Sequence, residues 1–253
     1  MPIFLALFFL GLIQGLTEFL PVSSSGHLVL FSKIFGVEES LFVSILLHVA
    51  TLLSICVVFY KDIWKLIRHP FSQETMQIVV ATIPTCVIVL VLMPLIKSSF
   101  SGTILPLCFL VTAILLLVAQ KLSKNKNSEK IDYKTAFFMG IAQGFAVFPG
   151  ISRSGSTISA GLLSGKDKGE VAKFSFLMSV PIVLLSLLME VFEIATGALV
   201  VDIQILPTLL AFVVASIVGI FAIKLMIKLT TNASLKWFSF YLILISVVTL
   251  FVI

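Results

Sequence analysis

The chain has 253 residues, 59% of them hydrophobic and only 11% charged, with a mean hydropathy of +1.20. A soluble domain carries about 25% charged residues, so the composition excludes a soluble enzyme and predicts a single all-α integral membrane domain over residues 1–253. The net charge of +5 is no nucleic-acid signal: the Lys and Arg residues sit in short loops between apolar runs, where they set membrane orientation. Membrane lipids, and no nucleic acid, are the expected surroundings. Cys56, Cys86 and Cys108 lie inside apolar runs without metal-ligand spacing and read as small core residues.

In chain order, residues 3–20 form a first apolar segment that reads as membrane-embedded rather than as a cleaved leader. It meets Pro21 and a Ser-Ser-Ser-Gly turn, and a second short apolar piece, about 26–36, ends at Gly36. Two short pieces broken by Pro and Gly predict a re-entrant helical hairpin, since irregular backbone at membrane depth survives only inside protein or beside a wet cavity. Full spans are predicted at 40–60, 76–96 and 103–120, with a basic loop after the first and the hydrophilic stretch KLSKNKNSEKIDYK after the third. A second hairpin, about 135–165, turns at Pro149-Gly150 and Ser152-Arg153-Ser154-Gly155. Spans at 171–194, 205–227 and 236–253 complete a count of six, each near the ~20 residues a span needs.

The two turns repeat. Gln14-Gly15 and Gln143-Gly144 match at an offset of 129, as do Ser23, Ser25, Gly26 and Ser152, Ser154, Gly155. Pro21 and Pro149 are one residue out of step. One hairpin plus three spans per half is an odd count, so the second half enters from the opposite side. This predicts an inverted-topology repeat of about 1–125 and 126–253, with the site where the broken segments meet. Placing loops 61–75, 121–134, 166–173 and 224–236 inside puts 3, 5, 3 and 3 Lys or Arg there, 14 of the chain's 17. Lys33, Lys97, Glu38, Glu39 and Asp202 fall outside and Arg153 in neither group, so both ends and the first hairpin face outward.

Ionisable residues inside a membrane mark function by default. If the turns meet, Glu18, His27 and Arg153 converge with Ser23, Ser24, Ser25, Ser152, Ser154, Ser156 and Thr157. That inventory suits an anion: Arg presents a planar fork matching phosphate oxygens, and hydroxyls with N–H groups at a Gly-containing helix start cradle phosphate. A serine hydroxyl or an imidazole serves as nucleophile, with a carboxylate or His moving protons. Each residue also has a structural reading. Ser and Gly serve helix packing, Gln14 and Gln143 hydrogen-bond across the repeat, and Glu18 pairs with Arg153. His27 caps a helix, His48 has no acidic neighbour and reads as structural, and His69 is a loop residue.

QGLTEFLPVSSSGH (Gln14–His27) and PGISRSG (Pro149–Gly155) resemble the two signature motifs of the bacterial undecaprenyl-diphosphate phosphatase family, the bacitracin-resistance type. The order of the motifs, the FSFLMSVP stretch and the six-span pattern extend the resemblance over essentially the whole chain. It implies removal of the terminal phosphate from a C55 polyprenyl diphosphate carrier in the bacterial cell membrane. That recycles the carrier for peptidoglycan and other cell-wall polymers and confers resistance to bacitracin, which sequesters the same lipid. The implied site opens to the outer face, and a homodimer is compatible with it.

The resemblance implies Ser24 as nucleophile with His27 as competing candidate or proton shuttle, Glu18 as orienting group, base or metal ligand, and Arg153 as diphosphate clamp. Gln14, Ser23, Ser25, Ser152, Ser154 and Thr157 would bind substrate. It also implies a divalent cation. Here Gln14 stands where the motif allows Glu, leaving one carboxylate, so Mg²⁺ or Ca²⁺ is expected to be held largely by the substrate's phosphates. Membrane phosphatases of the acid-phosphatase type share the echoes SSSGH and SRSG. They need a His that this chain lacks after Arg153, where Ile158 and Ser159 stand. The competing reading is a transporter or flippase of a polyprenyl-phosphate lipid or other anion, because inverted repeats with broken helices also build transporters.

Overall fold

The computed structural model describes residues 1–37, 41–123, 130–196, 204–232 and 234–253. Glu38, Glu39, Lys124, Lys126 and Asp202, which entered the charge argument, lie outside the described residues. Among the described residues the regular structure is entirely helical.

The first hairpin is α1 (Ile3–Thr17) and α2 (Ser24–Phe35). Helix α1 ends ahead of Pro21, whose ring disfavours helix in the residue before it. Ser23 caps α2 by accepting from the Gly26 N–H at 3.3 Å, so the helix starts two residues earlier than the apolar pattern suggested. Gly36, left-handed at φ 66°, closes it. The second hairpin repeats the chemistry with α7 (Tyr133–Phe145) and α8 (Arg153–Leu163). Asp132 caps α7 through the Thr135 N–H at 2.7 Å, and Ser152 caps α8 through the Gly155 N–H at 3.0 Å. A hydrogen bond from Lys166 at 2.8 Å, with the cap bond, holds the Asp132 carboxyl down to about 2, so the cap is charged throughout the physiological range.

The longer helices are α3 (Leu41–Val58), α5 (Gln73–Ser99), α6 (Leu105–Leu122), α9 (Lys168–Ala195), α10 (Ile205–Asn232) and α11 (Lys236–Val252). Four of them, α5, α6, α9 and α10, are long and apolar enough to cross a membrane. Helix α3 does not run on into a loop. At Phe59 the chain bends by 84° into α4 (Tyr60–Arg68), and the two make a fifth candidate if counted as one broken span. The sequence YKDIWKLIR explains α4: Tyr60, Trp64 and Ile67 alternate at helical spacing with Lys61, Lys65 and Arg68, a pattern suited to lying along an interface. The basic stretch expected to be a loop is therefore partly helix. Outward-facing Leu90, Val91, Leu188, Leu206 and Leu244 are exposed, as a chain solvated by lipid rather than water permits.

Small residues set the closest helix contacts. On α1, Gly11 faces α10 so closely that a Cβ would sit 2.5 Å from the Ala211 carbonyl oxygen. On α7, Gly140 faces α5 in the same way, against the Ala81 carbonyl, and Thr85 donates to the Gly140 carbonyl at 2.8 Å. Without a hydrophobic drive between helices in lipid, such backbone approach supplies the association. Gly140→Ala is accordingly expected to lose about 1–3 kcal/mol of stability through forced separation of α5 and α7. Denaturation in mixed micelles measures this, and an unchanged unfolding midpoint would contradict the packing argument.

Candidate active site

The two turns interlock where the helix pairs α1–α2 and α7–α8 meet. Ser23 is the sole non-glycine residue at positive φ among the described residues, at 67°. The surroundings hold that strained conformation: Ser23 Oγ accepts from the Gly150 N–H at 3.1 Å and donates to the Ile151 carbonyl at 3.3 Å. In return Ser154 Oγ donates to the Leu20 carbonyl at 3.0 Å. A side chain on Gly26 would reach within 2.8 Å of the Gly150 Cα, so both turns need glycine at their crossing. Thr112 on α6 fastens the second turn, accepting from the Ser152 N–H at 3.0 Å and donating to the Gly150 carbonyl at 3.2 Å.

This stitching brings Ser24 and Arg153, the first residues of α2 and α8, to one carboxylate. Glu18 is 6% exposed, and a buried charge requires partners. Arg153 Nη2 pairs with Glu18 Oε1. Ser24 Oγ donates to Glu18 Oε2 at 2.5 Å, and Gln14 Nε2 donates to the same oxygen at 3.0 Å. The carboxylate only accepts, so the Gln14 amide turns its NH₂ toward Glu18 and leaves its buried Oε1 without a partner. Glutamine at this position supplies a donor where a second carboxylate would bring like charge.

A cavity of about 220 Å³ opens against this cluster. Its polar wall includes Glu18, Ser23, Ser24, Ser25, Ser152, Arg153 and His48, and its apolar wall includes Ile45, Phe100, Val147, Ile182 and Val183. The N-termini of α2 and α8 both end at it, adding first-turn N–H groups and dipoles that favour negative charge. A larger cavity, about 370 Å³, lies at the other end of α5 around Lys65, Glu74, Lys130 and Lys173. Its cations are largely answered: Lys65 pairs with Glu74 at 3.3 Å and Lys173 with Asp62 at 2.5 Å. The chemistry points to the smaller cavity, where serines and an arginine share one wall.

Four expected site residues stand apart from that cavity. His27, 2% exposed, donates from Nδ1 to the Ser23 carbonyl at 2.7 Å and meets the Tyr241 hydroxyl with Nε2 at 2.7 Å. It stacks on Tyr241 with ring centroids 5.7 Å apart, so both nitrogens and one face are occupied by protein. Thr157 bonds back to the Arg153 carbonyl at 2.8 Å and to Ser175 Oγ at 2.6 Å, holding α8 against α9. Ser154 is engaged with Leu20, and Gln14 sits behind Glu18.

Two residues escaped the sequence reading. The sequence around His48 offers no acidic neighbour, yet its Nε2 lies 3.6 Å from Glu18 Oε2. Tyr241 closes over His27 from α11. The side chains they meet, Glu18 and His27, are distant in sequence; the only signal was a histidine inside an apolar span.

Among the described residues no three His, Cys, Asp or Glu side chains gather as a metal site. Both oxygens of Glu18 are engaged by Arg153, Ser24 and Gln14. The residues present do not fit an all-protein divalent-cation cage, which needs several oxygen ligands.

Fold and site together define a multi-pass helical membrane protein with a serine- and arginine-lined pocket keyed to a buried carboxylate. Residues 7–248 match the family described as bacitracin resistance protein BacA, and the chain belongs to that family. It is 40% identical to an undecaprenyl-diphosphatase of Carboxydothermus hydrogenoformans, over 95% of this chain and 94% of the relative. It is 39% identical to an undecaprenyl-diphosphatase of Bacteroides fragilis, over 96% of each chain. To one of Thermosipho africanus it is 38% identical, over 96% of this chain and 98% of the relative.

Proposed function

We propose that the protein hydrolyses undecaprenyl diphosphate to undecaprenyl phosphate and inorganic phosphate. The observation that carries this reading is the bond from Ser24 Oγ to Glu18 Oε2, 2.5 Å long, on a carboxylate that also holds Arg153. Hydroxyl, base and guanidinium thus share one cavity wall, and family membership and the relatives' activity agree with it. Hydrolysis regenerates the monophosphate carrier for peptidoglycan assembly and removes the diphosphate that bacitracin sequesters.

In this reading Arg153 and the N-termini of α2 and α8 bind the diphosphate, and the apolar wall of Ile45, Phe100, Ile182 and Val183 receives the first part of the polyprenyl chain. Ser24 attacks the terminal phosphorus while Glu18 accepts its proton. Arg153 spreads its donors over charge that develops on the transferring group. A divalent cation, Mg²⁺ or Ca²⁺, would come with the substrate and offset phosphate charge, and Glu18 is the one carboxylate on the cavity wall that could contribute to holding it.

The membrane arrangement is proposed as six spans, on α3, α5, α6, α9, α10 and α11, with α1–α2 and α7–α8 as re-entrant hairpins. An inverted repeat of about 1–125 and 126–253 is supported by the exchange of contacts. Gly11 on α1 meets Ala211 on α10, and Gly140 on α7, 129 residues later, meets Ala81 on α5. The lysine distribution supports an outward-facing site in the bacterial cell membrane.

Purified protein in micelles is expected to release phosphate from C55 diphosphate, and release is expected to be lost in Glu18→Ala. Undiminished release by that variant would sink the site. Lipid flux across proteoliposomes without phosphate release would favour a transporter instead.

A further inference from the structure

Glu18 has more partners than phosphate binding requires. Arg153 neutralises it, and Ser24 and Gln14 donate to its Oε2. Yet α3, which belongs to neither turn, brings His48 Nε2 to 3.6 Å from that same oxygen. One turn further along α3, Thr51 accepts from Gln14 Nε2 at 3.5 Å, so α3 engages both members of the Gln14–Glu18 pair.

The histidine is oriented for one task. Its Nδ1 lies 2.8 Å from the Ser44 carbonyl oxygen. A carbonyl only accepts, so Nδ1 carries the ring hydrogen, and in the neutral ring the Nε2 lone pair faces Glu18. Lone pair toward carboxylate is an arrangement that a proton on Glu18 converts into a hydrogen bond. The His48 side chain is 27% exposed and lines the cavity, so a proton reaching it has water to leave by.

We infer that His48 is the proton acceptor behind Glu18, a relay that rests on the phosphatase reading with Ser24 as nucleophile. As Ser24 Oγ bonds to the terminal phosphorus, the bond from that phosphorus to the bridging oxygen breaks. Its electron pair leaves with the lipid monophosphate. The Ser24 proton passes to Glu18 Oε2 and on to His48 Nε2, which restores the carboxylate beside Arg153. Water then attacks the phosphoserine phosphorus and the P–Oγ bond breaks. One water proton reaches Ser24 Oγ through Glu18, the other stays on the phosphate, and the imidazolium gives its proton to cavity water.

Few other charges face His48. Glu18 and Arg153 are the charged groups on the cavity wall, and α9 contributes Ile182, Val183 and Ser186 there. On α10 the cations Lys224 and Lys228 begin about two turns past Ser216, where Ser54 of α3 donates to the backbone at 2.7 Å, on the side away from His48. Helix α1 carries no charged residue before Glu18.

The test is phosphate release from C55 diphosphate by full-length protein across about pH 5 to 9, a window wide enough to show general acid–base groups in the profile. His48→Gln is expected to lower kcat about 10²-fold with KM unchanged, and to change the shape of the pH profile of kcat. His48→Ala is expected to regain rate on addition of imidazole, whereas His48→Gln gains none. A His48→Gln enzyme with full rate and the wild-type pH profile, beside an inactive Ser24→Ala, overturns the relay alone. A loss that is uniform in pH and unanswered by imidazole also overturns it, as the mark of a structural role. Absence of release by the wild type overturns the phosphatase reading beneath it.

Discussion

Arg153→Ala is expected to reduce kcat/KM by about 10³- to 10⁵-fold, the range over which a guanidinium acts in phosphoryl transfer, and to destabilise the protein as well. The two losses have separate origins. The first comes from a binding wall whose remaining donors are hydroxyls and helix N-termini. The second comes from Glu18, 6% exposed, which loses its only guanidinium partner. Breaking a buried pair from one side costs about 3–5 kcal/mol, because the remaining charge is stranded. Arg153→Lys keeps a charge but loses the planar fork, so stability should largely return while rate does not. In Arg153→Ala/Glu18→Gln the stranded charge is gone, and the double variant should unfold at a higher temperature than Arg153→Ala alone, a non-additivity expected of touching residues. Phosphate release and thermal unfolding in the same micelles measure both effects. An Arg153→Ala enzyme within threefold of wild type would remove the clamp from the mechanism.

What the sequence made legible was whatever has a local cause. The hairpins announce themselves through Pro21, Pro149 and Gly150, residues that break helices within their own neighbourhood. The caps at Ser23 and Ser152 belong to the same short-range grammar, and the matching polar turns 129 residues apart drew attention to Ser24 and Arg153 together. The bend at Phe59 was missed because hydropathy fades gradually through VVFYKDIW, and nothing in composition separates the end of a span from a turn into an amphipathic helix. His48 and Tyr241 were missed for another reason. Their partners, Glu18 and His27, are distant in sequence, and only packing of α3 against α1 and of α11 against α2 brings them within reach. The resemblance offered His27, beside Ser24, as a competing nucleophile or proton shuttle. On α2, three positions further along, it is taken up by the Ser23 carbonyl and the Tyr241 hydroxyl and does not line the cavity.

That orientation yields the sharpest division of labour. Ser24→Ala is expected to abolish turnover, by about 10⁴-fold or more, with little change in stability, since Ser24 lines the cavity and its loss removes one bond to Glu18. His27→Ala should do the reverse. It deletes the bonds to the Ser23 carbonyl and the Tyr241 hydroxyl and the stacking on Tyr241. A buried hydrogen bond contributes about 1 kcal/mol net and a stranded partner costs about 1–3 kcal/mol, so a loss of roughly 3 kcal/mol is expected. The Ser23 conformation at φ 67° would lose one of its restraints, and slower turnover would follow from a loosened turn. Tyr241→Phe isolates this effect: it leaves His27 Nε2 unpaired, should shift stability in the same direction by less, and touches nothing in the cavity. The decisive measurement is a rapid quench with terminal-phosphate label, followed by both acid and alkaline work-up, because phosphoserine survives acid and phosphohistidine does not. Label on Ser24 is expected in wild type and in the folded fraction of His27→Ala. Acid-labile label on His27, or full turnover by Ser24→Ala, would assign the nucleophile to the residue whose two nitrogens are both bound to protein, and would require His27 to leave the Tyr241 stack before each turnover.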